Sequence, residues 1–169
     1  DLRLVFHNGT LDATHVADTV VAGDLVNTGR AEYDDMTITA GGSSVNEGYE
    51  RGDILTVESG ASHSNTGVSI WNGMTVASGA SGSNGKPLAD DAAKGHEEGF
   101  ASDALLQVGT DAADETFDIS GSFDNHGVLD ADAMETTLVA GEIFNEGQAL
   151  YNDMTIVNGG SSVNEGYEK

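Results

Sequence analysis

The sequence has no cysteine and only one proline among 169 residues. A chain without cysteine cannot be held by disulfide bonds, and this suits a protein that crosses membranes unfolded. Aromatic residues make up 6% of the chain, whereas glycine occurs 23 times. Such a composition would fill a broad globular core poorly. We therefore expect a narrow core of aliphatic side chains, with glycine at the turns of the chain.

Positive charge is also scarce. Six lysine and arginine residues stand against 29 aspartate and glutamate residues, for a formal net charge of -23 at pH 7. Such a surface repels nucleic acid and anionic lipid, so neither is an expected partner. We find no signal peptide and no apolar run of transmembrane length, so no membrane insertion is expected.

The chain does have a repeat of 19 residues. Four asparagines are spaced at this interval, namely Asn27, Asn46, Asn65 and Asn84. In the first three copies a glycine follows the asparagine two positions later. Ten residues before each asparagine stands an apolar residue. In three copies it is followed by threonine and a second apolar residue, at 36–38, 55–57 and 74–76. This alternation has the period of a β-strand.

A second period of 118 residues is superimposed on the first. Residues 4–51 match residues 122–169, so that Asn27 recurs as Asn145 and Asn46 recurs as Asn164. We interpret 4–51 and 122–169 as equivalent repeat segments within a single solenoid fragment that spans residues 1–169. Because the chain begins and ends inside the pattern, we expect the natural protein to continue in both directions.

A period near 19 residues is too short for a helical hairpin and fits one coil of a β-solenoid. The sequence therefore predicts an all-β fold, a parallel β-solenoid of ~19-residue coils stacked about 4.8 Å apart. Apolar strand residues should point inward. Stacking should also place the repeat asparagines above one another in a hydrogen-bonded structural ladder, made by Asn27, Asn46, Asn65, Asn84, Asn145 and Asn164.

Other repeat positions indicate further columns. Six residues after the repeat asparagine come Tyr33, Gly52 and Trp71, which suggests an aromatic column. The acidic pairs Asp34–Asp35 and Asp90–Asp91 offer the oxygen ligands that Ca²⁺ takes, which makes Ca²⁺ the one metal to test. The histidines show no metal-ligand spacing, so no other cofactor is expected.

Residues 86–103 break the repeat and contain the only proline of the chain. We expect an inserted loop that leaves a corner of the solenoid, either as a specific binding loop or as a passive insertion. The coils are predicted to resume around Leu105 and Phe117.

The segments GGSSVNEG, SGASHSNTG and SGASGSNG resemble the stalk repeats of diffuse-adherence (AIDA-type) autotransporter adhesins. The resemblance covers nearly all of the chain outside 86–103. It implies a long parallel β-helix on the outside of a bacterial cell, with glycosylation candidates at Ser43, Ser44, Ser161 and Ser162. This chain is more acidic than the family pattern, which also lacks a 118-residue superperiod.

Together these features favour a structural or adhesive repeat region of a bacterial cell-surface or extracellular fibre protein, without catalytic residues. Its expected partners are neighbouring repeats, head-to-tail copies, and surface receptors or glycans. One alternative is a β-helix carbohydrate-processing enzyme, which needs unrepeated carboxylates in a cleft. Another is a self-assembling extracellular filament or surface-layer subunit. Catalytic sites are singular, whereas nearly everything in this chain is copied.

Overall fold

We describe a computed structural model of the chain, in which residues 2–85, 104–109, 116–157 and 159–169 are described. Every regular element in these ranges is a β-strand. In chain order the strands are β1 Leu2–His7, β2 Thr10–Asn27, β3 Arg30–Ile38, β4 Ser43–Asn46, β5 Tyr49–Val57, β6 Ser62–Asn65, β7 Val68–Val76, β8 Ser81–Asn84, β9 Leu105–Val108, β10 Phe117–Ile119, β11 Ser122–Asn125, β12 Val128–Ala131, β13 Thr137–Val139, β14 Glu142–Asn145, β15 Gln148–Tyr151, β16 Met154–Ile156, β17 Ser161–Asn164 and β18 Tyr167–Glu168.

Each turn contributes one short strand to each of three parallel ladders. The asparagine face consists of β1, the end of β2, and then β4, β6, β8, β11, β14 and β17. The aromatic face consists of the start of β2, β3, β5 and β7, and then β9, β12, β15 and β18. The threonine face consists of the middle of β2, the ends of β3, β5 and β7, and then β10, β13 and β16.

About seven turns stack in this way, and all the paired strands are parallel. The predicted period appears directly in the register of the asparagine face. Asn46 lies opposite Asn65, and Asn65 lies opposite Asn84. The predicted all-β parallel solenoid with ~19-residue coils is therefore confirmed.

The core is a narrow column enclosed by the three faces. Alternate residues of each strand point into it, as the period of two requires. The six apolar residues of the repeat are fully buried, namely Met36, Ile38, Leu55, Val57, Met74 and Val76. The threonines between them are partly exposed on the outside. Each such aliphatic side chain contributes about 1.5–3 kcal/mol when it leaves water, which stabilises a fold that has few large rings.

Glycine is needed at two corners for two different reasons. Before the asparagine face, Gly41 and Gly60 adopt φ values of 81° and 78°, a left-handed conformation that side chains disfavour. After that face the need is for space. A Cβ on Gly48 would lie 2.2 Å from the carbonyl oxygen of Gly29 in the turn below. The Asn-x-Gly pattern thus reflects turns that stack backbone against backbone.

The turn that follows Asn84 is longer than its neighbours. β8 ends at Asn84, and β9 begins at Leu105 opposite Val68 of β7, so the aromatic face continues across the intervening chain. The threonine face resumes where Phe117 pairs with Met74. Both resumption points agree with the prediction, whereas the predicted inserted loop at 86–103 lies outside the described residues.

Candidate functional site

The repeat asparagines form one continuous column on the asparagine face. At each step the side-chain Nδ2 of one asparagine donates to the Oδ1 of the next over 2.7–2.9 Å, through Asn27, Asn46, Asn65, Asn84, Asn125, Asn145 and Asn164. The same nitrogen also donates to a backbone carbonyl of the next turn, as Asn27 does to Tyr49 over 2.9 Å. Each amide therefore ties its turn to both the side chains and the main chain of its neighbour.

Asn125 belongs to this ladder but is absent from the six predicted members. It follows Asn84 by 41 residues, so the insertion hides it from a search at 19-residue spacing. The available signal was Gly127, which completes the Asn-x-Gly motif. In the first repeat segment the equivalent position is His7, whose Nε2 lies 3.2 Å from the carbonyl oxygen of Arg30. His7 thus takes the place of an asparagine amide at the start of the ladder.

The ladder is structural in its geometry. Asn46, Asn65, Asn84 and Asn125 are fully buried, so their amides are not available to a ligand. Buried amides require hydrogen-bond partners, and here each finds its partner in an adjacent turn. A shift of one turn by a single residue would move its asparagine to the outside. The column therefore fixes the register in which the turns stack.

A second buried group is polar and was not predicted. Glu50 and His63 have side chains with no exposure, and His63 Nε2 lies 3.2 Å from Glu50 Oε1 without the alignment of a hydrogen bond. The Ser69 hydroxyl donates to the same Glu50 oxygen over 2.6 Å, and the Trp71 indole donates to Ser69 over 2.8 Å. We call these four residues the polar core cluster.

Its members lie on inward positions of two successive turns. Glu50 stands opposite Ala31 below and Ser69 above on the aromatic face, and His63 stands opposite Ser44 on the asparagine face. Strand alternation could have identified Glu50 as inward, because it shares its column with alanine and serine. A glutamate is normally assigned to the surface, and for this reason sequence reasoning missed it.

The predicted aromatic column shares Trp71 with this cluster and is present in the structure. Tyr33 and Trp71 stack with ring centroids 6.0 Å apart and an interplanar angle of 12°. They reach each other because Gly52 lies between them. A Cβ on Gly52 would come within 2.1 Å of the Trp71 ring. Burial, together with the charge of Glu50, raises the pKa of the Tyr33 hydroxyl well above its usual value.

The acidic corner lies where the aromatic face turns into the threonine face. Asp34, Asp35 and Asp53 each offer one carboxylate oxygen, and these oxygens lie within 4.8 Å of one another. Such an all-oxygen set suits Ca²⁺ in ligand type. Asn72 donates to Asp53 over 2.7 Å, so one oxygen of the corner already has a partner. The other predicted pair, Asp90–Asp91, lies outside the described residues.

The acidic corner is electrostatically strained. Partial burial, followed by the charges of Asp34, Asp53 and Asp18, raises the pKa of Asp35, although the backbone N–H of Ile54 donates to Asp35 over 3.2 Å and acts in the opposite direction. Desolvation and like charges both disfavour the ionised form of a carboxyl group. The corner thus costs stability near neutral pH unless a cation or a proton neutralises it.

One surface depression combines both signs of charge. It is lined by Thr14, Glu32, Tyr33, Asp34, Arg51 and Gly52. Arginine and carboxylates in a cleft are what a carbohydrate-processing enzyme needs, so this is the place to test for activity. In the second repeat segment Glu32 becomes Leu150 and Asp34 becomes Asn152, so the depression is not copied.

The serines implied as glycosylation candidates differ in accessibility. Ser44 is only 2% exposed because it occupies an inward position, so the expectation is wrong for this residue. Ser43 points outward, and its hydroxyl donates to Asp24 over 2.6 Å. Strand alternation explains the difference, since adjacent residues face opposite sides.

Comparisons with known proteins identify no relative of this chain. The chain matches no protein-family model, no curated protein and no solved structure. None of the described residues belongs to a helix that is long and apolar enough to cross a membrane. The functional argument therefore depends on the geometry of the turns and on the chemistry of their faces.

Proposed function

We propose that this chain is a structural repeat region of a bacterial cell-surface or extracellular fibre protein, in which the solenoid acts as a stiff stalk. One observation carries the proposal. The asparagine ladder continues without a break from Asn27 to Asn164, including the step across the long turn after Asn84. A spacer needs the same contact between all its turns, whereas a catalytic module needs a local departure from the repeat.

Two other observations support an exposed, adhesive setting. The net charge of -23 keeps neighbouring rods apart in solution. The resemblance of segments such as GGSSVNEG to autotransporter adhesin stalks points to the same role at a bacterial surface. The expected partners are neighbouring repeats or head-to-tail copies along the axis, and receptors or glycans at the sides. An extracellular location follows from this role.

Rod length provides the direct test. From Asn27 to Asn145 the ladder takes five steps, through Asn46, Asn65, Asn84 and Asn125. At ~4.8 Å for each step, one 118-residue block adds about 24 Å. Chains carrying one, two and three copies of residues 28–145 should lengthen by that amount per block in small-angle scattering. A length that does not grow linearly would remove the stalk proposal.

Two further measurements separate the alternatives. Electron microscopy distinguishes single rods, as proposed for a stalk, from end-to-end fibres, as expected for a filament or surface-layer subunit. A glycan-cleavage screen tests the enzyme. Cleavage that is lost in Glu32→Gln or Asp34→Asn, while the rod length is unchanged, would replace the structural proposal with a catalytic one.

A further inference from the structure

The polar core cluster places two ionisable groups at inward positions where the neighbouring turns hold only small uncharged residues. Glu50 belongs to the aromatic face of one turn, and His63 belongs to the asparagine face of the next. Their 3.2 Å contact therefore joins two successive turns inside the column, and neither side chain has any exposure. A charge at such a place is costly unless a partner neutralises it.

The surroundings solvate this pair only in part. Ser69 donates to Glu50 Oε1, whereas Glu50 Oε2 and His63 Nδ1 have no hydrogen-bond partner among the described residues. A net charge on the pair would thus be poorly compensated. The pair is electrically balanced only while it holds a single proton, either as imidazolium with carboxylate or as imidazole with carboxylic acid.

Few other groups could alter this balance. The other inward polar groups near the pair are the Tyr33 and Ser44 hydroxyls and the ladder amides of Asn46 and Asn65. Tyr33 is the only ionisable one among them, and its raised pKa keeps it neutral over the whole range below pH 10. On the threonine face the inward residues are Leu55 and Val57, which are fully buried and apolar.

We infer that Glu50 and His63 form a proton-sharing latch between neighbouring turns, which holds the turns together best while the pair carries one proton. Addition of a second proton leaves an uncompensated imidazolium in the core, and removal of the last one leaves an uncompensated carboxylate. Either change weakens the contact between turns, so the stiffness of the rod in this stretch responds to pH.

The internal repeat copies only the acidic half of this pair. At an offset of 118 residues, Tyr33, Ser44 and Glu50 recur as Tyr151, Ser162 and Glu168. Burial and the charge of Glu168 raise the pKa of Tyr151, as Glu50 does for Tyr33. The acidic half of the latch is thus present in both segments.

The test is the free energy of unfolding against pH for the wild type, Glu50→Gln, His63→Gln and the double variant. Trp71 is the only tryptophan and bonds to Ser69, so its fluorescence reports on this stretch. In unfolded chains histidine changes charge near pH 6.5 and glutamate near pH 4.3. The latch contribution should therefore be largest between about pH 4.3 and 6.5 and should decline on both sides.

The single variants should have opposite slopes. In Glu50→Gln a charged imidazole would have no counter-charge in the core, so stability should fall as the pH is lowered. In His63→Gln a carboxylate would have no counter-charge there, so stability should fall as the pH is raised. We compare the pH dependence of the unfolding constant of each single variant with that of the double variant. The difference should approach a tenfold change per pH unit, as expected when unfolding takes up or releases one proton.

His126→Gln is the matched control. His126 Nδ1 lies 2.7 Å from Glu146 Oε2, but this pair is open to solvent on the glutamate side. It should show little of the pH dependence seen for the buried pair. Losses that are equal at every pH, or slopes of the same sign in both variants, would overturn the latch. If a single variant does not fold, a wild-type minus double-variant difference without a maximum would also overturn it.

Discussion

Two stretches of this solenoid have the same backbone and differently filled cores. Around Asn46 and Asn65 the inward residues include Glu50, His63 and Ser69. Around Asn125 and Asn145 the inward residues outside the ladder are mostly hydrocarbon, as Phe123, Leu129 and Ile143 illustrate, and Thr137 is the polar exception. Both stretches keep parallel pairing and an unbroken asparagine ladder. The ladder and the backbone thus set the register, and the interior chemistry is free to vary.

Both stretches also create space for rings in the same way. In the polar stretch, Gly52 leaves room for Trp71, which stacks on Tyr33 from two turns away. In the apolar stretch, Gly82 leaves room for Phe123, since a Cβ there would lie 2.5 Å from its ring. A narrow column accepts a large ring only if the adjacent turn contributes no side chain. Glycine within a strand is here a packing requirement.

Phe123→Ala should break the apolar stretch and has the largest expected effect. Phe123 is fully buried and meets Phe117 edge to face at 6.0 Å. Since Gly82 has no side chain to fill the gap, the cavity should persist, and the loss should be about 3–5 kcal/mol in urea unfolding. Leu138→Ala, an outward position, is the control and should cost about 0.5 kcal/mol. Equal losses in the two variants would show that Phe123 does not anchor the core.

Asn65→Ala should break the feature that both stretches share. The change removes one hydrogen bond of the Asn46 amide, which keeps its bond to a backbone carbonyl, and takes the asparagine donor from the Asn84 oxygen and the Leu105 carbonyl. Unsatisfied buried groups of this kind cost about 1–3 kcal/mol each, and partial relaxation should limit the total to about 2–3 kcal/mol. Asn164→Ala, at an exposed rung, should cost less than about 1 kcal/mol. A loss that is no larger at Asn65 would contradict a structural ladder.

The fold could be predicted well from the sequence because residues of the same type recur at regular intervals. Asparagine at 19-residue intervals, together with alternation at 36–38 and 55–57, defines both the turn length and the inward positions. These signals are local and recur in phase, so they survive variation at the outward positions. The inward placement of all six repeat apolar residues was confirmed for this reason.

The interior chemistry could not be predicted in the same way. Asn125 was missed because an insertion changes the spacing without changing the stacking. Glu50 and His63 are 13 residues apart in sequence, and their contact depends on two faces that meet inside the column. No periodic signal marks such a pair. Ser44 was misassigned for a related reason, since its neighbour Ser43 has the same residue type and faces outward.

Thr137→Val should sharpen the contrast by removing a buried hydroxyl from the core of the apolar stretch. Thr137 lies inward on the threonine face with no exposure, and its hydroxyl has no hydrogen-bond partner among the described residues. Valine has the same shape without the polar atom, so stability should rise by about 1 kcal/mol. Thr75→Val, on the outside, should change the unfolding midpoint very little. A loss at Thr137 would show that the hydroxyl is satisfied by water.

Asp35→Asn has the smallest expected effect and addresses the acidic corner of the polar stretch. Asparagine keeps an oxygen that accepts from Ile54 N–H and removes the charge that faces Asp34 and Asp53. A carboxyl whose pKa is raised by folding stabilises the fold at low pH, and this contribution is lost as the pH rises through the folded value. The variant should therefore gain about 0.5 kcal/mol at pH 7 in a chelating buffer, and the gain should vanish below about pH 3.8.

Ser43→Ala is an outward control without a charge change. If Ca²⁺ is then added and the wild type becomes more stable than Asp35→Asn, the acidic corner binds the ion. The effect of Asp35 on stability is then more than repulsion between carboxylates. If the gain is the same at every pH, the charge of Asp35 is not its source.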